Sequence, residues 1–176
     1  MKWELTVEEV GQRASELSVG DEVSLSGVIY TARDAAHKRL FALLDAGEEL
    51  PFPLKGAVIY YCGPTPAKEG QAVGACGPTT SGRMDRFAPR LYDLGLLATV
   101  GKGERNEAVY ESICRNGALY LCAIGGAGAF YSSRVKACEV VAFPELGCES
   151  IKKLWVQSLP LIVGAASQGE TIYHKR

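Results

Sequence analysis

Arg33, Arg83 and Lys102 stand at one kind of place in this chain, where an apolar run gives way to a turn or helix. Arg33 lies in Thr31-Ala32-Arg33-Asp34, just past the β-branched run Val23–Tyr30. Lys102 lies in Gly101-Lys102-Gly103, past Leu96–Val100. Arg83 falls in the richest segment, Gly77-Pro78-Thr79-Thr80-Ser81-Gly82-Arg83-Met84-Asp85. In α/β sheets the carboxyl ends of the strands share one edge, and ligands bind there. Helix N-termini add free N–H groups and a positive dipole end. The chemistry these residue types suit is capture of an anion. An arginine in a first helical turn opposes the dipole by about 0.3–1 kcal/mol, which a bound anion offsets. Singly, each cation also reads as a solvated surface group; three at like junctions favour a shared ligand.

Proline and two glycines in the 77–85 segment permit a close backbone approach. Thr79 or Thr80 as a helix N-cap accounts for one threonine and leaves Gly82 and Arg83 unexplained. His37 and His174 are the only histidines. His37 falls in the first turn of a helix after Arg33, as a ligand contact or a surface side chain. His174, in the tail, is expected to be inert. There is no Ser-His-Asp, HExxH or Walker pattern. The chain alone shows no acid–base pair and no metal cage.

The positioning elements follow from periodicity and punctuation. Thr6 and Glu9 have capping-box spacing at the head of a short helix. Val23–Tyr30 reads as a strand, with Asp34 capping a helix through Leu44 that Gly47 ends. Ala57–Cys62 is a buried strand closed by Gly63-Pro64, and Ala72–Cys76 a short one. A helix is expected from Ser81 to Leu94, ended by Gly95. Then come a strand over Leu96–Val100, a helix over 104–115 before Asn116-Gly117, and a strand over Ala118–Ile124. Val135–Phe143 and part of Ile151–Ile162 look extended. This alternation implies an α/β domain with its sheet covered on both faces. There is no GxGxxG after the first strand, so a dinucleotide fold is not favoured.

The bulk numbers are those of one globular domain: 176 residues, 47% hydrophobic and 22% charged. A net charge of −1 argues against nucleic-acid binding. No apolar run is long enough for a membrane span, and the acidic start is unlike a leader peptide, so a cytoplasmic location is expected. The six cysteines form no CxxC and mostly sit in apolar runs. They read as buried reduced thiols, not as a cluster site within this chain.

Four segments together resemble the C-terminal domain of class I fumarases and the β subunit of tartrate dehydratase. They are Ile29-Tyr30-Thr31-Ala32-Arg33-Asp34-Ala35-Ala36-His37-Lys38-Arg39, Ile59-Tyr60-Tyr61-Cys62-Gly63-Pro64, Gly77 to Asp85, and Val100-Gly101-Lys102-Gly103. They run in the family's order over roughly residues 19–145. The resemblance implies a single swivelling β/β/α domain over 1–176, with a helical lead-in over 1–18. It implies a hydro-lyase acting on a four-carbon dicarboxylate: fumarate to malate, with tartrate to oxaloacetate as the alternative. Arg33 and Arg83 look like its carboxylate-binding arginines, Lys102 like its substrate-contacting lysine, and Thr79 like its proposed base. His37 and Asp85 are candidates for supporting roles. The resemblance implies a 4Fe-4S cluster held by an α subunit, none by this chain, and an α2β2 assembly. An isolated chain could pair with itself. A non-catalytic dicarboxylate-binding module is the reading from another class. After Trp155 the match weakens, which leaves an edge strand and the subunit contact open.

Overall fold

The computed structural model describes residues 1–174 and shows an α/β domain whose sheet closes on itself. The last two residues of the expected 1–176 domain lie outside the described residues. The strands are β1 (Lys2–Thr6), β2 (Glu22–Thr31), β3 (Val58–Tyr60), β4 (Ala98–Gly101), β5 (Leu119–Cys122), β6 (Val135–Ala142) and β7 (Ile151–Ala165). The helices are α1 (Val7–Arg13), α2 (Asp34–Asp45), α3 (Ala88–Asp93), α4 (Glu107–Asn116) and α5 (Gly128–Ser133).

Strands β2, β3, β4 and β5 run parallel in that order. The ring closes because β7 is antiparallel both to β5, through Leu121↔Val163, and to β2, through Val28↔Trp155. Strand β1 adds to the first half of β2, and β6 to the first half of β7. Thus the weakly matching stretch after Trp155 is no edge: it is the strand that closes the barrel.

Side chains alternate between two cores, as pleated strands require. Ile29, Val58, Tyr60, Leu119, Leu121, Leu154 and Val163 join one buried cluster, to which α1 adds Val7 and Val10. Tyr30, Ile59, Tyr61 and Tyr120 face the other way, against α2, α3 and α4 through Leu40, Leu91 and Ile113. Each fully buried side chain of this kind stabilises by about 1.5–3 kcal/mol relative to exposure.

Local rules explain the ends. The Thr6–Glu9 capping box forms at the start of α1. Gly117 closes α4 in the left-handed region at φ 62°. Four expectations need correction. Lys2–Thr6 is a strand within the expected helical lead-in: only Leu5 of it is buried, and alternation with charges hides so short an edge strand. The 81–94 helix is a 3₁₀ turn at Ser81–Met84 and then α3, whose start carries Pro89. Proline lacks the N–H that a continuous helix would need there. Ala72–Cys76 forms no strand. Asp34 is the first residue of α2, not its cap, and its carboxylate is engaged elsewhere.

Candidate functional site

The four parallel strands deliver their carboxyl ends to one edge. Ala32 N–H donates to the Tyr60 carbonyl (3.0 Å), Tyr61 N–H to Val100 (2.8 Å) and Ala123 N–H to Gly101 (2.8 Å), so the edge is knit past the strands themselves. Arg33, Gly63, Lys102 and Gly125 follow in turn from β2, β3, β4 and β5. The 77–85 segment lies along this edge. Thr79 N–H donates to the Tyr61 carbonyl at 2.7 Å, and Ser81 N–H to the Lys102 carbonyl at 2.9 Å. Thr80 also forms a parallel bridge with Lys102. Behind Thr79, Cys76 N–H donates to the Gly128 carbonyl at 3.0 Å. Arg33, Thr79 and Lys102 therefore stand on adjoining backbone. Arg83 joins them through a 2.7 Å ion pair with Asp34, the residue after Arg33.

Glycines make room for two of the cations. A Cβ at Gly63 would sit 2.9 Å from Arg33 Nη1, and one at Gly125 would sit 3.4 Å from Lys102 Nζ. The Arg33 and Lys102 side chains make no ion pair or hydrogen bond within the described residues, and Arg33 Nε is buried without a partner. Burying an unpaired charged donor is costly, and a carboxylate ligand removes that cost. The 330 Å³ groove lined by Trp3, Pro160 and Ile162 includes neither of these cations.

His37 is not a surface residue. It is fully buried on the inward stripe of α2 with Ala36 and Leu40. Its ring stacks on Phe87 at 5.2 Å and meets Tyr61 edge-on at 5.6 Å. Nδ1 donates to the Arg33 carbonyl at 2.7 Å, which fixes the tautomer and leaves Nε2 unpartnered. Burial pulls its pKa from 6.5 down to about 4, against the opposing pull of the Arg33 carbonyl. Between those values the unfolded chain takes up a proton that the folded chain refuses, so stability rises with pH across that window. The wild-type protein should lose about 3 kcal/mol between pH 7 and pH 4 through this group. Urea unfolding of His37→Gln over the same range should show a shallower slope, and an unchanged slope would exclude the assignment.

Asp85 is 8% exposed and already engaged. It accepts from Arg105 Nε at 2.6 Å and from Asn106 N–H at 2.7 Å. Arg105, which motif reading passes over, is 3% exposed and also donates to Thr99 Oγ1 (2.9 Å) and Tyr61 Oη (3.0 Å). A charged residue among helix-start polars gives no hint of burial, because its partners come from three distant segments. His174 pairs with Glu104 on the surface.

The cysteines do not form a metal cage. Cys62 and Cys76 touch at 3.4 Å, and that contact together with burial pushes the Cys62 thiol well up, away from the thiolate a metal needs. Among the described residues no three His, Cys, Asp or Glu side chains are grouped to hold a metal ion. No helix among them is long and apolar enough to cross a membrane.

The structure is thus a closed α/β barrel that carries Arg33 and Lys102, without side-chain partners among the described residues, on its strand-end edge. The family model described as "Fumarase C-terminus" matches residues 1–176, and the chain belongs to that family. It is 37% identical over 171 residues to "Fumarate hydratase 2" of Leishmania major, covering 96% of this chain and 30% of that protein. It is 36% identical over 171 residues to "Fumarate hydratase class I, anaerobic" of Escherichia coli, covering 96% and 31%. The chain thus spans less than a third of those proteins. "Putative L(+)-tartrate dehydratase subunit beta" of Methanocaldococcus jannaschii is 39% identical over 166 residues, with 91% of this chain and 85% of that one covered.

Proposed function

We propose that this chain is the β-type half of a two-chain hydro-lyase, most consistent with fumarate hydratase, which interconverts fumarate plus water and malate. The single observation that carries the reading is the Arg33 guanidinium, unpaired and partly buried on the edge that also bears Lys102 and Thr79. The family and the fumarate hydratase relatives supply the reaction class. In this reading Arg33 and Arg83 bind the substrate carboxylates through their planar forks. Lys102 adds a third cation, and Thr79 lies beside the reacting carbon. In this reading the 4Fe-4S cluster belongs to a companion α subunit.

The tartrate dehydratase β-subunit relative supports a companion-chain arrangement and keeps tartrate as the second substrate. The assembly is an α2β2 heterotetramer in the cytoplasm, and an isolated β chain pairs with itself. The domain is of the swivelling β/β/α kind and closes its strand-end edge onto the companion. His37 and Asp85 support the site through backbone and buried contacts.

The test is anaerobic co-expression with the iron–sulfur companion, followed by ultraviolet assays with fumarate, malate and tartrate. Turnover only with both chains and iron present is expected, and the better acid names the enzyme. A chain that binds dicarboxylates but supports no turnover with any companion would instead be a binding module.

A further inference from the structure

Three site-bearing segments meet at a buried arginine that touches no ligand position. Arg105 Nε holds Asp85, two residues past Arg83. Its Nη1 holds Thr99 on β4, and its Nη2 holds the hydroxyl of Tyr61, whose carbonyl receives the Thr79 N–H. Its guanidinium carbon lies 5.1 Å from the Tyr61 ring centroid and 4.9 Å from that of Tyr120. Tyr120 adds a second tie: its hydroxyl meets Ser81 Oγ at 2.9 Å and donates to the Gly103 carbonyl at 2.7 Å. Ser81 precedes Arg83, and Gly103 follows Lys102. Each of the three nitrogens of one planar, permanently charged group thus donates to the scaffold of the candidate site.

We propose that Arg105 is the positioning residue of this site: its buried guanidinium, bonded to Asp85, Thr99 and Tyr61, sets the offset between Thr79, Arg83 and Lys102. The fold alone does not need a cation there, since an ion pair sealed from water is weak evidence of stabilisation and apolar packing can replace it. What the guanidinium supplies is geometry. Three donors fixed in one plane tie three segments at once, strand β4 among them, and a lysine cannot reproduce that fork. The inference rests on the hydro-lyase reading for its kinetic consequence, though not for its structural one.

The experiment uses the two-chain complex with Arg105→Lys, Arg105→Ala and Tyr61→Phe. Displacements of about 1 Å at reacting groups cost roughly 100-fold in rate, so Arg105→Ala should lose about that in kcat. Millimolar guanidinium chloride should restore part of it saturably, whereas methylammonium should not. Arg105→Lys should fall between Ala and wild type, and Tyr61→Phe, which removes only one of the three bonds, should lose less than either. Hydrogen exchange should quicken in 77–86 and 100–106 while β2 and β7 keep their rates. If Arg105→Ala does not fold, Arg105→Lys and Tyr61→Phe carry the same comparison. Exchange quickened throughout the barrel, with rate loss tracking the folded fraction, would make Arg105 merely structural and overturn the proposal. So would unchanged kcat in a folded variant. A wild-type complex with no turnover on any of the three acids refutes the hydro-lyase reading, and loop-confined exchange then decides the positioning claim alone.

Discussion

Arg33→Ala should lower kcat/KM for the preferred dicarboxylate by about 10³-fold. Two charge-assisted hydrogen bonds from one guanidinium to one carboxylate contribute roughly 1.5–3 kcal/mol each, and every 1.4 kcal/mol is tenfold. Nothing among the described residues competes for that fork: Arg33 Nε is buried without a partner, and no carboxylate there pairs with the side chain. Arg83 differs, because Asp34 already shares its charge at 2.7 Å, so Arg83→Ala should cost less. Stability should move the other way. Removing a buried donor with no acceptor relieves a desolvation cost, so the thermal midpoint of Arg33→Ala should hold or rise. Arg33→Lys separates charge from fork: it keeps the cation and loses the bidentate geometry. Steady-state kinetics with thermal melts on the two-chain complex read both effects. A folded Arg33→Ala complex with kcat/KM within about threefold of wild type would remove Arg33 from the site.

The candidate residues legible in the sequence share one property. Arg33, Thr79, Arg83 and Lys102 each lie in a short motif punctuated by glycine, proline or hydroxyls, and such punctuation is local chemistry. Their gathering on one edge follows from a single rule about strand ends, so four separate motifs converge without knowledge of the barrel. Closure of the barrel is a different kind of fact. Trp155 pairs with Val28 across most of the chain, and no local window around β7 announces that partner. The same reasoning covers His37. Helical periodicity places it one residue from Ala36, and only the approach of Phe87 and Tyr61 from elsewhere makes that face the inner one. The motif residues are marked by their own neighbours in sequence, whereas His37, Asp85 and Arg105 are engaged by neighbours in space.

Thr79→Val should cut turnover about 10³-fold while leaving binding and assembly intact. The two side chains are close in shape, and the backbone bond from Thr79 N–H to the Tyr61 carbonyl at 2.7 Å does not depend on the hydroxyl. The loop therefore keeps its course, and only an oxygen is lost. Positioned proton transfer contributes about 10²–10⁴-fold, so kcat should fall by roughly 10³ with little change in KM. A threonine hydroxyl cannot serve as a base at neutral pH without a partner that takes its proton. Within the described residues Thr79 Oγ1 has no hydrogen-bond partner, His37 is turned inward, and Asp85 is committed to Arg105 and Asn106. In the proposed two-chain assembly the activating group is therefore assigned to the companion chain, on the side of the edge away from His37 and Asp85. Deuterium exchange into malate at C3, followed by proton NMR, isolates this step from hydroxyl loss. Thr79→Ser should keep the exchange and Thr79→Val should lose it. Exchange persisting in the valine variant would move the base off this chain altogether, leaving Arg33, Arg83 and Lys102 as its contribution to the shared site.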